Sequence, residues 1–226
     1  MKVFSAWSRV GVFCALMLVF AQGAAASGSG GLAQPFAKGQ GMFGVTMGYS
    51  QRDLDGGGDE AQSRRLLFKG GFGFGEGLDG YAMLGFSDLK YSGIDFSGSL
   101  GELIGLGVRY GGFLIGEGPA RLVLDFQWEY FSSEDGNIDA RVDATHLAAY
   151  VVREFGAAGK VGYFYPFGGI RYSMVNYSND GPDFHEDERI GIFGGADYFV
   201  SPNVFFSGEM HVFDEESVLL SAGYRF

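Results

Sequence analysis

The chain has 226 residues, 40 of them glycine, with 16 % aromatic and 19 % charged side chains, and its 27 Asp and Glu against 16 Lys and Arg give a formal charge of −11. That balance leaves no basic stripe to neutralise phosphates, which excludes a nucleic-acid partner. So much glycine weakens helices, whereas in a narrow barrel it lets side chains and neighbouring backbones crowd together, so the composition points away from a helical soluble domain.

Residues 1–26 read as a secretory signal peptide, with Lys2 and Arg9 as its positive region, an apolar run over 10–20 and Ala24-Ala25-Ala26 as a small-residue cleavage site. The run is shorter than the roughly 20 residues that a spanning helix requires. Cys14, the single cysteine, lies inside it, so the rest of the chain offers neither a disulfide nor a thiolate nucleophile. Residues 27–40 are expected to form a flexible N-terminal segment, and 41–226 a single barrel domain.

From residue 42 onward the pattern has a period of two, the mark of strands with unlike faces. The first strand, 42–51, sets Phe43, Val45, Met47 and Tyr49 against Gly44, Thr46, Gly48 and Ser50. The second, 64–74, sets Leu66, Phe68, Phe72 and Phe74 against Arg65, Leu67, Lys69 and two glycines. A third lies over 80–90. The fourth, 103–113, sets Ile104, Leu106, Val108 and Tyr110 against Gly105, Gly107, Arg109 and Gly111. The fifth, 121–131, alternates most cleanly, with Leu122, Leu124, Phe126, Trp128 and Tyr130 opposite Val123, Asp125, Gln127 and Glu129. The sixth, 141–155, reads as a strand with a short helix as the alternative. The seventh, 161–177, contains Pro166, which removes a ladder donor and predicts a bulge or bend. Three more follow over 189–200, 204–213 and 216–226.

The connections alternate in character. Residues 75–79, 114–120, 156–160 and 201–203 read as compact turns; 54–62, 92–99, 132–140 and 178–187 are longer and acidic, and 214–216 is a tight hairpin. Membrane barrels have this asymmetry between periplasmic turns and outer loops. Termini on one side require an even strand count; ten is adopted, with eight as the alternative. The expected fold class is therefore all-β, a closed antiparallel up-and-down transmembrane β-barrel, which satisfies every backbone polar group in hydrocarbon without an edge. So few strands enclose a narrow interior. Lys69, Arg109, Asp125, Glu129, Arg171, Asp197, Glu209 and Arg225 are expected to meet there as a polar, ion-paired network that largely plugs the lumen.

The last strand places Val218, Leu220, Ala222, Tyr224 and the terminal Phe226 on one face. The ending Gly223-Tyr224-Arg225-Phe226 resembles the C-terminal signature of bacterial outer-membrane β-barrels, and the pattern from residue 41 resembles the small OmpA/OmpX-like barrel domain and the opacity and porin-like families of Gram-negative bacteria. The resemblance implies Tyr224 and Phe226 as an assembly signal for the barrel-assembly machinery. It further implies residence in the outer membrane after passage through the periplasm, contact with outer-membrane lipid and lipopolysaccharide, and a monomer in preference to an oligomer. The implied role is structural or in surface interaction, with a small passive porin for ions or solutes as the alternative.

No enzyme activity, cofactor or resident metal is expected. Asp183-Phe184-His185 has an Asp-x-His spacing that resembles omptin proteases, and Asp53 and Asp55 have the spacing of an aspartate pair, but they lie on the first loop and a solvated acidic loop explains the same residues. His146 and His211, with no lipase-type Ser motif beside them, read as lumen or rim residues. Gly71-Phe-Gly-Phe-Gly75 precedes no helix and so is not a phosphate loop. Asp53 to Asp59 fails as an EF-hand because its twelfth position is Arg64. The outer-loop acids Asp180, Asp183, Glu186, Asp187 and Glu188 are expected at most to hold divalent cations loosely.

Overall fold

The computed structural model describes residues 31–54, 60–92, 96–155, 162–178, 184–185 and 189–226. Its long strands are β1 (Gly41–Asp53), β2 (Glu60–Gly75), β3 (Leu78–Ser87), β6 (Gly101–Ile115), β7 (Ala120–Asp135), β8 (Ile138–Arg153), β9 (Tyr163–Ser178), β11 (Ile190–Phe199), β12 (Val204–Val212) and β13 (Glu216–Arg225). Three two-residue strands, β4 (Lys90–Tyr91), β5 (Phe96–Ser97) and β10 (Phe184–His185), pair at the rim. Every pairing between long strands is antiparallel, and β1 pairs with both β2 and β13, so the ten long strands close into a barrel. Gly41 and Phe226 complete the seam by exchanging amide-to-carbonyl hydrogen bonds of 2.8 and 2.9 Å.

The alternation read in the sequence is the inside-outside alternation of the wall. Phe43, Met47, Leu66, Phe68, Ile104, Leu106, Val108, Leu124 and Phe126 are exposed on the exterior, while Thr46, Arg65, Lys69, Arg109 and Asp125 are buried within. Residues 141–155 offer no helix: 138–153 is one strand, in register with β7 from Ala120↔Arg153 to Asp135↔Ile138. That register also corrects the expected open loop over 132–140, because the chain reverses within Gly136 and Asn137, Gly136 supplying a φ of 62°.

Pro166 produces no shift of register. It faces Ala196 in an unbroken ladder with β11. On the β8 side the ladder stops at Val152↔Phe167 and resumes as a single bridge at Phe155↔Phe164. Phe164 and Phe155 exchange both backbone bonds across that bridge. Two residues along the strand, Pro166 points the same way and has no N–H to give, so the missing donor leaves a gap in place of the expected bulge. Register shifts occur where glycines allow them, between Gly73 and Gly75 and between Tyr110 and Phe113.

The wall is uneven. Strands β7, β8 and β9 each have 16 residues, whereas β11, β12 and β13 have 9 or 10. On the short side the β12–β13 reversal, with Phe213 at φ 81°, turns Asp214 and Glu215 into the lumen. Of the three acids of the tight hairpin over 214–216, Asp214 and Glu215 are thus buried, while Glu216 stays exposed.

Candidate functional site

Ten strands leave a lumen that side chains can fill, and here they fill it in layers. Toward the loop end lies an apolar layer that includes Leu67, Met83, Leu103, Phe131, Tyr91 and Phe96. Toward the end where β1 begins and β13 finishes lies a second, built from Tyr150, Val152, Tyr165, Phe167, Phe199 and Phe205 together with Leu32, Ala33 and Phe36. Charged residues form a belt between them, so the polar network occupies the middle of the lumen and apolar layers cap it on both sides. Apolar layers at both ends exclude water, and a buried charge must then find its partners within the belt.

Strand register aligns the first group. Arg109 pairs across the ladder with Asp79 on β3 and with Asp125 on β7. Its Nε donates to Asp79 Oδ1 at 3.0 Å, and Nη1 donates to the Leu32 carbonyl and to the Tyr150 hydroxyl, 3.5 Å away. Asp125 accepts the Tyr81 hydroxyl at 2.7 Å, and Lys69 Nζ lies 3.6 Å above the Tyr81 ring. In a second group Arg65 Nη1 donates to Glu129 Oε1 at 2.6 Å and Gln127 Nε2 to Glu129 Oε2 at 3.2 Å. The third group caps the short side: Arg171 Nε donates to Asp214 Oδ2 at 2.8 Å, its Nη2 lies 2.9 Å from Glu215, and Arg52 Nη2 lies 2.6 Å from the other Glu215 oxygen. Glu209 bonds His211 at 2.6 Å, and Asp197 accepts the Ala33 amide at 2.8 Å.

Of the expected belt residues, Lys69, Arg109, Asp125, Glu129, Arg171, Asp197 and Glu209 lie in the interior. Arg225 does not join them. It ends the last ladder at the rim, where it donates to the Tyr163 hydroxyl at 2.6 Å and lies 4.4 Å over the Phe199 ring. The partners missed were Arg52, Asp79, Asp214 and Glu215, whereas Arg65 already stood on the inward face of the second strand. Extending the third strand by one residue would have brought in Asp79, and extending the first likewise would have brought in Arg52.

The larger departure is at the start of the barrel. Residues 31–36, expected as part of a flexible segment, pack inside the lumen, where Leu32, Ala33 and Phe36 are at most 3 % exposed. The lumen supplies the burial and the hydrogen bonds that the segment lacks by itself.

Ser173 Oγ lies 3.0 Å from His146 Nδ1, whose Nε2 is 3.8 Å from Glu129, in the order of a hydroxyl, imidazole and carboxylate relay. The Ser173 proton is directed to Asp214 at 2.8 Å, and the cavity beside His146 measures about 20 Å³, the room one water needs. Among the described residues no group of three or more His, Cys, Asp or Glu is placed to hold a metal ion. Asp55 and Asp183 lie outside the described residues, as do the acidic positions 180 and 186–188 and the side chain of His185.

Outside, the wall is apolar along every long strand, from Phe43 and Met47 through Leu84, Leu106, Leu124, Leu147 and Ile170 to Ile192 and Met210. Soluble monomers do not expose a continuous apolar girdle of this extent, and a lipid-facing barrel requires one. Closed strands, filled lumen and oily wall define a small transmembrane β-barrel protein.

No family model matches the chain, and no curated protein matches it. Among solved structures it is similar to the translocator domain of autotransporter NalP from Neisseria meningitidis, with 11 % identity, 98 % of this chain and 96 % of that one covered, and a TM-score of 0.44. It is also similar to Ail, the attachment invasion locus protein of Yersinia pestis, with 14 % identity, 84 % and 99 % covered and a TM-score of 0.40. An outer membrane channel from Pseudomonas putida F1 shares 11 % identity over 88 % of this chain and 100 % of that chain, with a TM-score of 0.44.

Proposed function

We propose that the protein is a non-conducting outer-membrane barrel whose role is structural or in surface contact, with the end where β1 begins and β13 finishes in the periplasm. The supporting observation is the filling of the lumen: two apolar layers enclose a belt whose charges are already partnered, so an ion crossing it would have to break buried pairs. The exterior would meet lipid and, on the loop side, lipopolysaccharide. Tyr224 and Phe226 lie exposed on the outer face of the seam, where the barrel-assembly machinery would read them before closure. The reading includes no catalytic role, because the relay-like Ser173 and His146 have no space beside them for a substrate.

Purified protein, first verified as a barrel by heat-modifiable gel mobility, should give no steady current in a planar bilayer. Discrete conductance steps, with ion selectivity altered by substituting Arg109 or Arg171, would instead establish a passive pore.

A further inference from the structure

The segment before β1 is held by groups that would serve equally well for a separate ligand. Over residues 32–36 its backbone is bonded by four strands. The Ala33 amide donates to Asp197 of β11 at 2.8 Å and its carbonyl accepts the Tyr150 hydroxyl of β8 at 2.8 Å. The Leu32 carbonyl accepts from Arg109 of β6, and the Phe36 amide donates to Asp79 of β3 at 3.0 Å. Such main-chain bonding is how proteins hold extended peptides, with pockets for alternate side chains adding selectivity.

The wall is also recessed where the segment passes. A Cβ at Gly111 would stand 2.1 Å from the Pro35 ring, one at Gly71 would stand 2.7 Å from the Phe36 ring, and one at Gly73 would stand 2.2 Å from the Ala37 carbonyl oxygen. Three glycines thus admit three successive residues. The Phe36 ring also lies 5.3 Å from the Arg109 guanidinium. Beyond this site the loop-side layer of Leu67, Met83, Leu103 and Phe131 closes the interior, so the emptied space would be a blind cup open toward the start of β1.

We propose that this half of the lumen is a peptide-binding site for a short sequence of the pattern apolar, small, any, Pro, aromatic, filled in the folded chain by residues 32–36 as an exchangeable internal ligand. The site is independent of whether the barrel conducts, since it is defined by the cup and not by the loop-side layer.

The test uses the full chain with a specific protease site placed at residues 38–39, where the segment emerges into solvent. After cleavage in detergent micelles, a fluorescent synthetic peptide of residues 31–38 is added. The cut fragment should remain with the barrel and be displaced by the synthetic peptide, which should bind saturably where a scrambled peptide does not. Asp197→Asn, Asp79→Asn and Tyr150→Phe should each weaken binding about tenfold or more, the effect of losing a buried hydrogen bond. Tyr150→Phe removes a single hydroxyl, so it tests the site even if a carboxylate variant fails to fold. A fragment that leaves without being replaced, one that never exchanges, or binding indifferent to the three substitutions would each overturn the proposal.

Discussion

Arg109 and Asp79 sit 3.0 Å apart with neither side chain exposed, and each also holds one end of the same stretch of chain, Arg109 through the Leu32 carbonyl and Asp79 through the Phe36 amide. The ion pair therefore braces the barrel wall and anchors what lies inside it. Arg109→Met strands a buried carboxylate and should lower unfolding stability by about 3–5 kcal/mol. Asp79→Asn combined with Arg109→Met should recover part of that loss, with a coupling of roughly 0.5–3 kcal/mol. Urea unfolding in lipid vesicles, followed by Trp128 fluorescence, gives both numbers, and strict additivity would show that the two residues act separately.

Glycine positions in the wall divide sharply by what lies beside them. A Cβ on Gly191 would fall 1.7 Å from Asp214 Oδ1, and that carboxylate is pinned by Arg171 and Ser173. A Cβ on Gly70, on the lipid side, meets nothing within 4 Å. Gly191→Ala should cost about 1–3 kcal/mol as an overpacked site, while Gly70→Ala should be neutral or slightly stabilising. The two variants compared by midpoint of urea unfolding test whether Asp214 is as firmly held as its bonds imply.

The membrane reading predicts a dependence on depth. Leu106 lies on the exterior near the middle of β6, and Tyr224 on the exterior near the end of β13. Leu106→Arg should destabilise the barrel by about 2–4 kcal/mol in a bilayer, whereas Tyr224→Arg should cost roughly 0–1 kcal/mol from its charge. Equal costs at the two depths would contradict a hydrocarbon-embedded wall.

The gap at Pro166 is open to repair. Pro166→Ala would restore an N–H facing Arg153, and one recovered ladder bond should contribute roughly 0.5–1.5 kcal/mol. Amide exchange at residue 166 reads it directly: slow exchange marks a closed ladder, and fast exchange marks a gap set by something other than the missing donor.

Legibility in the sequence follows the solvent. Where lipid lies outside and the lumen inside, as over 42–51 and 121–131, every second residue must be apolar, and the strands and their facing could be read directly. Beyond the apolar wall the constraint lapses. Ser132-Ser133-Glu134-Asp135 is polar on both faces, so a continuing strand looked like a loop. The belt charges were legible by parity, but their partners were not, because the Asp79–Arg109–Asp125 line exists only once three strands are in register. Leu-Ala-Gln-Pro-Phe over 32–36 carries no period of two, and the groups that bind it come from β3, β6, β8 and β11, which meet only when the barrel closes.

The two-residue reversal at Gly136 and Asn137 fixes the character of the tallest hairpin. Glu134 stands opposite Asp139 across the ladder, and Arg141 Nη2 holds Asp139 at 2.7 Å, easing the repulsion of like charges. Its tip is a stiff acidic epitope with set spacing. With the loop end outward, as proposed, an antibody raised against the linear 132–140 peptide should bind whole cells poorly, and one selected on the folded barrel should lose its target on boiling.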